Sequence, residues 1–151
     1  MKTGMDAPIK VLFVDDEPLI LSSIERLMRR ECVQVFLAND VLAALQVLSL
    51  EDIDIIVSDY DMPLFDGLQL LELLHRERCE IVRIMMTGRI SMGAWQRGVD
   101  NGSVQRLIDK PWRIETLKQV VQEAADAVRA RRRAAPGPFF ATRFRRPLSM
   151  A

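Results

Sequence analysis

Three acidic residues stand in a row directly after an apolar run near the start of the chain. Residues 11–18 read VLFVDDEP, so Asp15, Asp16 and Glu17 follow four apolar residues and precede Pro18. One acid is expected here, because an acidic residue caps a helix well and proline suits the first helical turn. A cap needs only one carboxylate, however, and three neighbouring carboxylates repel one another. The surplus acids therefore indicate a second role, that of holding a cation.

Three further polar residues follow later apolar runs. Asp59, Thr87 and Lys110 stand where the third, fourth and fifth apolar runs of the chain end. If these runs are parallel strands of one sheet, their carboxyl ends share an edge, which is where such sheets bind ligands. Together with Asp15 and Asp16, that edge would carry three carboxylates, a hydroxyl and an ammonium group.

This combination of groups suits the handling of a phosphoryl group. Carboxylates about 5 Å apart repel by roughly 3 kcal/mol per pair at an effective dielectric near 20, and a dication removes that repulsion. A few carboxylates completed by backbone carbonyls and water suit Mg²⁺ better than Ca²⁺. The group of residues at this edge contains no histidine or cysteine, which argues against zinc. The metal and the lysine would neutralise phosphoryl oxygens, the hydroxyl would donate a hydrogen bond, and a carboxylate would be the nucleophile.

The apolar patterns along the chain predict the elements that would position these groups. Strand-like runs lie at 9–14, 33–37, 53–58, 81–86 and 104–108, and helical patterns lie at 20–28, 41–50, 67–77, 94–99 and 114–128, the last extending to about 133. Near-continuous apolar strands that alternate with helices are typical of a parallel sheet buried on both faces. We therefore predict an α/β fold, a doubly wound five-stranded parallel sheet with five helices.

Four motifs make the chain resemble the receiver domain of two-component response regulators. They are VLFVDDEP (11–18), SDYDMPLFDG (58–67), MMTGR (85–89) and DKPW (109–112), and they occur in the family's order and spacing. The resemblance covers residues 9 to about 128 and implies a flavodoxin-like, CheY-like fold. It also implies a phosphoacceptor that receives its phosphoryl group from a sensor histidine kinase or a phosphotransfer protein. Such a domain switches contacts with a downstream protein, and it is not a turnover enzyme.

The resemblance also assigns roles to individual residues. Asp59 is the expected phosphoacceptor, and Thr87 and Lys110 are expected to contact the phosphoryl oxygens. The expected Mg²⁺ ligands are three side chains and one backbone carbonyl: Asp15 (through water), Asp16, Asp59 and Asp61 (carbonyl). Leu107 departs from the family pattern, because family members usually carry Tyr or Phe at this position as a switch coupled to the threonine. The signal is therefore expected to travel by another route.

An enzymatic alternative rests on the sequence IIVSDYD at residues 55–61. An Asp-x-Asp pair after an apolar strand resembles the nucleophile motif of haloacid-dehalogenase-type phosphatases, in which the second Asp is a general acid and base. The order of the motifs argues against this alternative, because that motif opens its fold and the paired acids come late. In this chain the paired acids come first.

The net charge of zero conceals two oppositely charged parts. Residues 1–128 contain 14 Lys and Arg against 21 acids, a net charge of −7, whereas residues 129–151 contain seven Arg and no acid. We therefore divide the chain into an N-terminal extension (1–8), a receiver domain (9–128) and a basic Arg/Phe-rich tail (129–151) that we predict to be flexible. A solvated tail or linker is the leading interpretation, ahead of a site for a protein partner, and nucleic acid is the least favoured ligand.

The remaining composition favours a cytoplasmic protein with no membrane association. No apolar run approaches the ~18 residues that span a bilayer, and the first ten residues lack the apolar core of a signal peptide. Cys32 and Cys79 are isolated in the sequence and fit no metal motif, so we expect both thiols to be reduced.

Overall fold

Strands and helices alternate along the chain, as the apolar pattern predicts. The structure is a computed structural model that describes residues 7–88, 92–134 and 148. The strands are β1 (Ile9–Val14), β2 (Val33–Ala38), β3 (Ile55–Asp59), β4 (Val82–Thr87) and β5 (Arg106–Asp109). The helices are α1 (Pro18–Met28), α2 (Val41–Leu50), α3 (Gly67–Glu77), α4 (Met92–Asp100) and α5 (Ile114–Ala134).

All five strands form one parallel sheet in the order β2-β1-β3-β4-β5. The first strand is therefore internal, and the chain winds outward from it in both directions, as a doubly wound sheet requires. In the register of the sheet, Val14 pairs with Ser58, Asp59 with Met86, and Thr87 with Asp109. This register brings the carboxyl ends of four strands to one edge of the sheet.

Helices cover both faces of the sheet and enclose two apolar cores. Alternate residues of β1 point to opposite faces, so Phe13 packs in one core and Leu12 in the other. The first core is closed by α1 and α5, which we call the first layer, and the second is closed by α2, α3 and α4, which we call the second layer. Because both faces are covered, the strands are apolar almost throughout.

The last strand begins later than the sequence pattern predicts. The predicted run starts at Val104, whereas β5 starts at Arg106. The Val104 amide donates to the Gly98 carbonyl (3.1 Å), and its side chain packs in the second core. Val104 therefore closes the turn after α4 and does not extend the strand. Helix α4 ends shortly before Gly102, whose φ of +77° is typical of a glycine that terminates a helix.

The last helix ends in arginines that bind the loops leading into the sheet. Arg129 donates to the Cys32 carbonyl (3.2 Å) before β2, and Arg131 donates to the Glu80 carbonyl (2.7 Å) before β4. Arg132 donates to the Ala7 carbonyl (2.8 Å) before β1 and to the Asp54 carboxylate (2.9 Å) before β3. We call these three residues the arginine clasp. It lies at the amino-terminal edge of the sheet, opposite the carboxyl-terminal edge.

The predicted tail boundary at residue 129 therefore falls inside a helix. Helix α5 continues to Ala134, close to the limit near Arg133 that the helical pattern indicates. Beyond Ala134 only Leu148 of the predicted tail lies within the described residues. None of the helices in the described part of the chain has the length and apolar character needed to cross a bilayer.

Candidate functional site

Asp15 is the buried member of the acidic row that follows β1. Its side chain is fully buried, and its two carboxylate oxygens have different partners. One oxygen (Oδ1) accepts a hydrogen bond from the Glu17 amide (2.9 Å), and the other (Oδ2) accepts one from the Lys110 ammonium (2.8 Å). Glu17 is the N-cap of α1, yet its side chain makes no capping hydrogen bond. Helix capping therefore does not account for the acidic row.

Lys110 joins the carboxylates at the ends of two neighbouring strands. Its ammonium nitrogen lies 2.8 Å from Asp15 Oδ2 and 3.2 Å from Asp59 Oδ1. The lysine follows β5, and its backbone amide donates to the Thr87 carbonyl (3.0 Å) at the end of β4. The structure thus brings Asp15, Asp59, Thr87 and Lys110 to the same edge, as the sequence predicts.

The environment of Asp59 raises its proton affinity. The pKa of Asp59 is raised from an ordinary value of 3.8 to about 6, mainly by burial and next by the neighbouring charge of Asp15. Lys110 and the Asp61 amide act in the opposite direction. For Lys110, burial is the largest single influence and lowers the pKa, but the hydrogen bond to Asp15 and the charges of Asp15 and Asp59 together raise it. One ammonium group therefore does not fully offset two buried carboxylates.

The acidic row is a candidate cation site. Carboxylate oxygens of Asp15, Asp16 and Glu17 lie within 4.8 Å of one another, with Asp15 buried and the other two exposed. Hard oxygen ligands of this kind fit Mg²⁺. Glu17 was not among the predicted ligands, although its place in the DDE row marks it. Asp59 is joined to this row through Lys110, and Asp61 is exposed and donates its amide to Asp59 Oδ1 (3.4 Å).

Two residues that shape the loop after Asp59 were not predicted as part of the site. A side chain on Gly67, the first residue of α3, would overlap the backbone carbonyl of Asp59 and contact the Ser58 hydroxyl. Glycine is therefore required where α3 meets the end of β3. Leu64, in the same loop, adopts a φ of +71° that is unusual for a non-glycine residue, and its side chain is 98% exposed. The Asp66-Gly67 pair is the only sequence signal of this packing, and in the structure Asp66 is the N-cap of α3.

Comparison with known proteins agrees with this geometry. The family model of the response regulator receiver domain matches residues 11–122. The two-component response regulator ARR2 of Arabidopsis thaliana is 38% identical over 118 residues, which are 77% of this chain and 18% of that protein. The response regulator ORR22 of Oryza sativa is 34% identical over 116 residues, which are 76% of this chain and 16% of that protein. The chain thus spans less than a fifth of the length of these two relatives.

Solved structures show the same fold. A CheY-like response regulator receiver domain protein from Methanospirillum hungatei superposes with a TM-score of 0.75 at 26% identity, covering 80% of this chain and 96% of that one. The chemotaxis protein CheY4 of Vibrio cholerae superposes with a TM-score of 0.71 at 27% identity, covering 78% of this chain and 99% of that one. With its flavodoxin-like sheet and the family match over residues 11–122, this chain belongs to the response regulator receiver domain family.

Proposed function

We propose that Asp59 accepts a phosphoryl group from a phosphohistidine of a sensor histidine kinase or a phosphotransfer protein. In this step a carboxylate oxygen of Asp59 forms a bond to phosphorus, the phosphorus–nitrogen bond breaks, and histidine leaves. The observation that supports the proposal is the ammonium group of Lys110, which lies between the buried carboxylates of Asp15 and Asp59. The domain would carry one phosphoryl group per chain and would not turn over a substrate.

The hydrogen bonds favour Asp59 over Asp15 as the nucleophile. Both oxygens of Asp15 accept hydrogen bonds, from the Glu17 amide and from Lys110. Among the described residues, Lys110 and the Asp61 amide contact the same oxygen of Asp59, Oδ1. Oδ2 is therefore the oxygen that we expect to form the bond. A pKa of about 6 leaves Asp59 mostly ionised at neutral pH and more basic than an ordinary carboxylate.

Mg²⁺ is the proposed cofactor of the reaction. Asp15, Asp16, the Asp59 side chain and the Asp61 carbonyl would hold it, and Glu17 is close enough to Asp16 to contribute. When bound, the ion supplies charge neutralisation to the incoming phosphoryl oxygens. Lys110 would contact one of those oxygens, and the buried Thr87 at the end of β4 would donate its hydroxyl to another.

Phosphorylation of purified protein tests this proposal. With acetyl phosphate and Mg²⁺, intact mass spectrometry should show one added phosphoryl group per chain, and chelation of the metal should prevent the addition. Asp59→Asn should incorporate nothing, whereas the matched control Asp126→Asn, on the exposed face of α5, should behave like wild type. Equal incorporation by Asp59→Asn and wild type would show that the acceptor is a different residue.

The same experiment separates an acceptor from a phosphatase. A haloacid-dehalogenase-type phosphatase would release inorganic phosphate steadily from a small phosphate ester, with Asp61 as the acid and base. The proposed acceptor should instead stop at one equivalent. Steady release that is lost in Asp61→Asn would support the enzymatic alternative.

We further propose that phosphorylated Asp59 signals to a downstream protein through Thr87 and the loop into α4. Phosphate attracts the Thr87 hydroxyl strongly, because hydrogen bonds to a charged acceptor are about twice as strong as neutral ones. Leu107 is half-buried against the second core and has no ring to follow that movement. Trp95 of α4 packs against the same core, so its fluorescence in a Trp112→Phe background should change on phosphorylation. Thr87→Ala should be phosphorylated but lose most of that change.

A further inference from the structure

The arginine clasp sets where the chain leaves the described domain. Arg131 and Arg132 hold the last turns of α5 against the loops before β4, β1 and β3, at distances of 2.7 to 2.9 Å. Helix α5 belongs to the first layer, since its buried residues pack in the first core. At Ala134 the chain is therefore at the amino-terminal edge of the sheet, on the side of the first layer.

Leu148 nevertheless packs on the opposite side of the sheet. It is half-buried and contacts the second core, which is closed by α2, α3 and α4. Between Ala134 and Leu148 the chain has 14 residue steps, which span up to roughly 46 Å when extended. That length suffices to pass around a domain whose radius of gyration is about 14 Å. Ala134 and Leu148 therefore lie on opposite sides of the sheet, at a separation that the chain length between them allows.

Charge favours contact between residues 135–151 and the second layer. Residues 39–80, which form α2, β3, α3 and their loops, contain ten acids and two arginines; without the buried Asp54 and Asp59, which pair with Arg132 and Lys110, their net charge is −6. Residues 135–151 contain three arginines (Arg143, Arg145 and Arg146) and no acid, a net charge of +3. A basic segment is thus attracted to the acidic side of the domain, and the attraction should weaken as salt screens it.

The second layer also exposes apolar surface. Leu42 and Leu50 of α2 are each 68% exposed, and Phe65 before α3 is 40% exposed. A groove of about 240 Å³ runs along α3 beside the start of α2, with Val41, Phe65, Leu70 and Leu73 among its lining residues. Exposed apolar surface of this kind is typical of a docking site.

We propose that residues 135–151 dock intramolecularly on the second layer, with Leu148 as an apolar anchor and the three arginines as its charge complement. The segment is then an attached ligand of the receiver domain, and it is neither a free solvated tail nor a nucleic-acid arm. A second copy of the chain or an external partner on the same surface would be a different outcome of the test.

Substitution of the anchor in the full-length chain tests this proposal. Leu148→Asp should lower the melting temperature by about 2–4 °C and speed amide hydrogen exchange in α2, α3 or α4. The matched control Leu19→Asp changes a leucine that is 82% exposed on α1, in the first layer, and should change neither quantity. Unaltered melting and exchange in Leu148→Asp would overturn the proposal. The milder Leu148→Ala gives the same comparison if the acidic variant folds poorly.

Two further measurements show what binds to the second layer. Replacing Arg143, Arg145 and Arg146 together by Gln should speed exchange in the same helices and remove its salt dependence. If the protection from amide hydrogen exchange survives a tenfold dilution and the protein is monomeric by light scattering, the result supports docking of the chain's own segment. Protection that falls on dilution, or a dimer that Leu148→Asp dissociates, would assign the surface to a second copy and overturn the proposal.

Discussion

The two edges of the sheet deal with charge in opposite ways. At the amino-terminal edge, Arg129, Arg131 and Arg132 meet backbone carbonyls and one carboxylate, Asp54, so each guanidinium group has an oxygen partner. At the carboxyl-terminal edge of the described structure, Lys110 meets both Asp15 and Asp59. One edge is electrostatically satisfied, and the other retains repulsion between carboxylates.

Arg83 shows how completely the amino-terminal edge is satisfied. Its side chain is buried and donates four hydrogen bonds to backbone carbonyls before β4 and before β5: Cys79 (2.8 Å), Ile81 (2.7 Å), Gly102 (3.1 Å) and Ser103 (3.1 Å). Burial lowers the pKa of its guanidinium group. A buried charge is tolerated when several groups hydrogen-bond to it. Unfavourable charge interactions in this domain are therefore concentrated at the carboxyl-terminal edge, where a bound ligand can relieve them.

Arg83→Ala should produce the largest effect by breaking the satisfied edge. Four carbonyls lose their donor, and a cavity replaces the guanidinium group, so we expect the free energy of unfolding to fall by about 3–4 kcal/mol. Urea denaturation of Arg83→Ala and of Arg30→Ala, an exposed arginine after α1, measures the difference. A loss below about 1 kcal/mol would show that water replaces the guanidinium group without penalty.

Arg132→Ala should break the clasp itself with a smaller effect. Asp54 is 1% exposed and also accepts the Lys10 amide (2.9 Å), so removal of the arginine leaves a buried carboxylate poorly compensated. We expect a loss of about 2 kcal/mol, less than for a fully buried pair because the Arg132 side chain keeps 19% exposure. Arg133→Ala, one residue on and exposed, is the matched control. Equal melting temperatures for the two variants would assign no stability to the clasp.

Asp59→Asn should relieve the strained edge and stabilise the metal-free protein. The pKa of Asp59 is about 6 in the folded state against an ordinary 3.8, so the folded state binds more protons between these values. Stability therefore falls as the pH rises from about 4 to about 6, and by neutral pH the loss is about 3 kcal/mol. Asn has no such titration.

Denaturation of the metal-free protein at several pH values checks the direction in which stability changes with pH. Wild type should lose stability from pH 4 to pH 7 relative to Asp59→Asn, which should be the more stable protein at pH 7. Saturating Mg²⁺ should narrow the gap, because the ion neutralises the carboxylates. An Asn variant less stable than wild type at pH 7 without metal would contradict a raised pKa at Asp59.

Leu64→Gly should give the smallest effect, a slight increase in the free energy of unfolding because backbone strain is removed. The residue has a φ of +71°, and its side chain is almost fully exposed, so glycine removes strain and loses no packing. The greater freedom of glycine in the unfolded chain offsets part of the gain, which leaves about 0.5 kcal/mol of stabilisation. Leu19→Gly in α1 should instead destabilise by about 1 kcal/mol. The same sign for both variants would contradict the strain at Leu64.

The strand and helix order was predictable because both faces of this sheet are buried. Strands that are buried throughout, such as Ile55–Asp59, and helices with one apolar face alternate in a way that few other folds produce. Element boundaries were less predictable, as at β5, where the amide of Val104 bonds to a helix carbonyl and not to a neighbouring strand. An apolar pattern does not show whether an amide bonds to a neighbouring strand or to the preceding helix.

For the basic residues near the end of the chain, the sequence indicated the length of the helix but not its contacts. The run after Val128 resembles a free basic tail, yet Arg129, Arg131 and Arg132 lie in α5 and bind the starts of strands. Their partners are mainly backbone carbonyls, which every residue type carries. No residue identity could have indicated those contacts.

The sequence by itself determined the alternation of elements, the acidic row and the identities of Asp59, Thr87 and Lys110, because motif spacing and apolar periodicity are local properties of the chain. Only the tertiary structure decided how strongly these groups interact. The sheet register places Lys110 between two carboxylates, burial raises the pKa of Asp59, and Gly67 gives α3 room beside the Asp59 backbone. Charge interactions depend on distance and on the exclusion of water, and both are set when remote parts of the chain pack together.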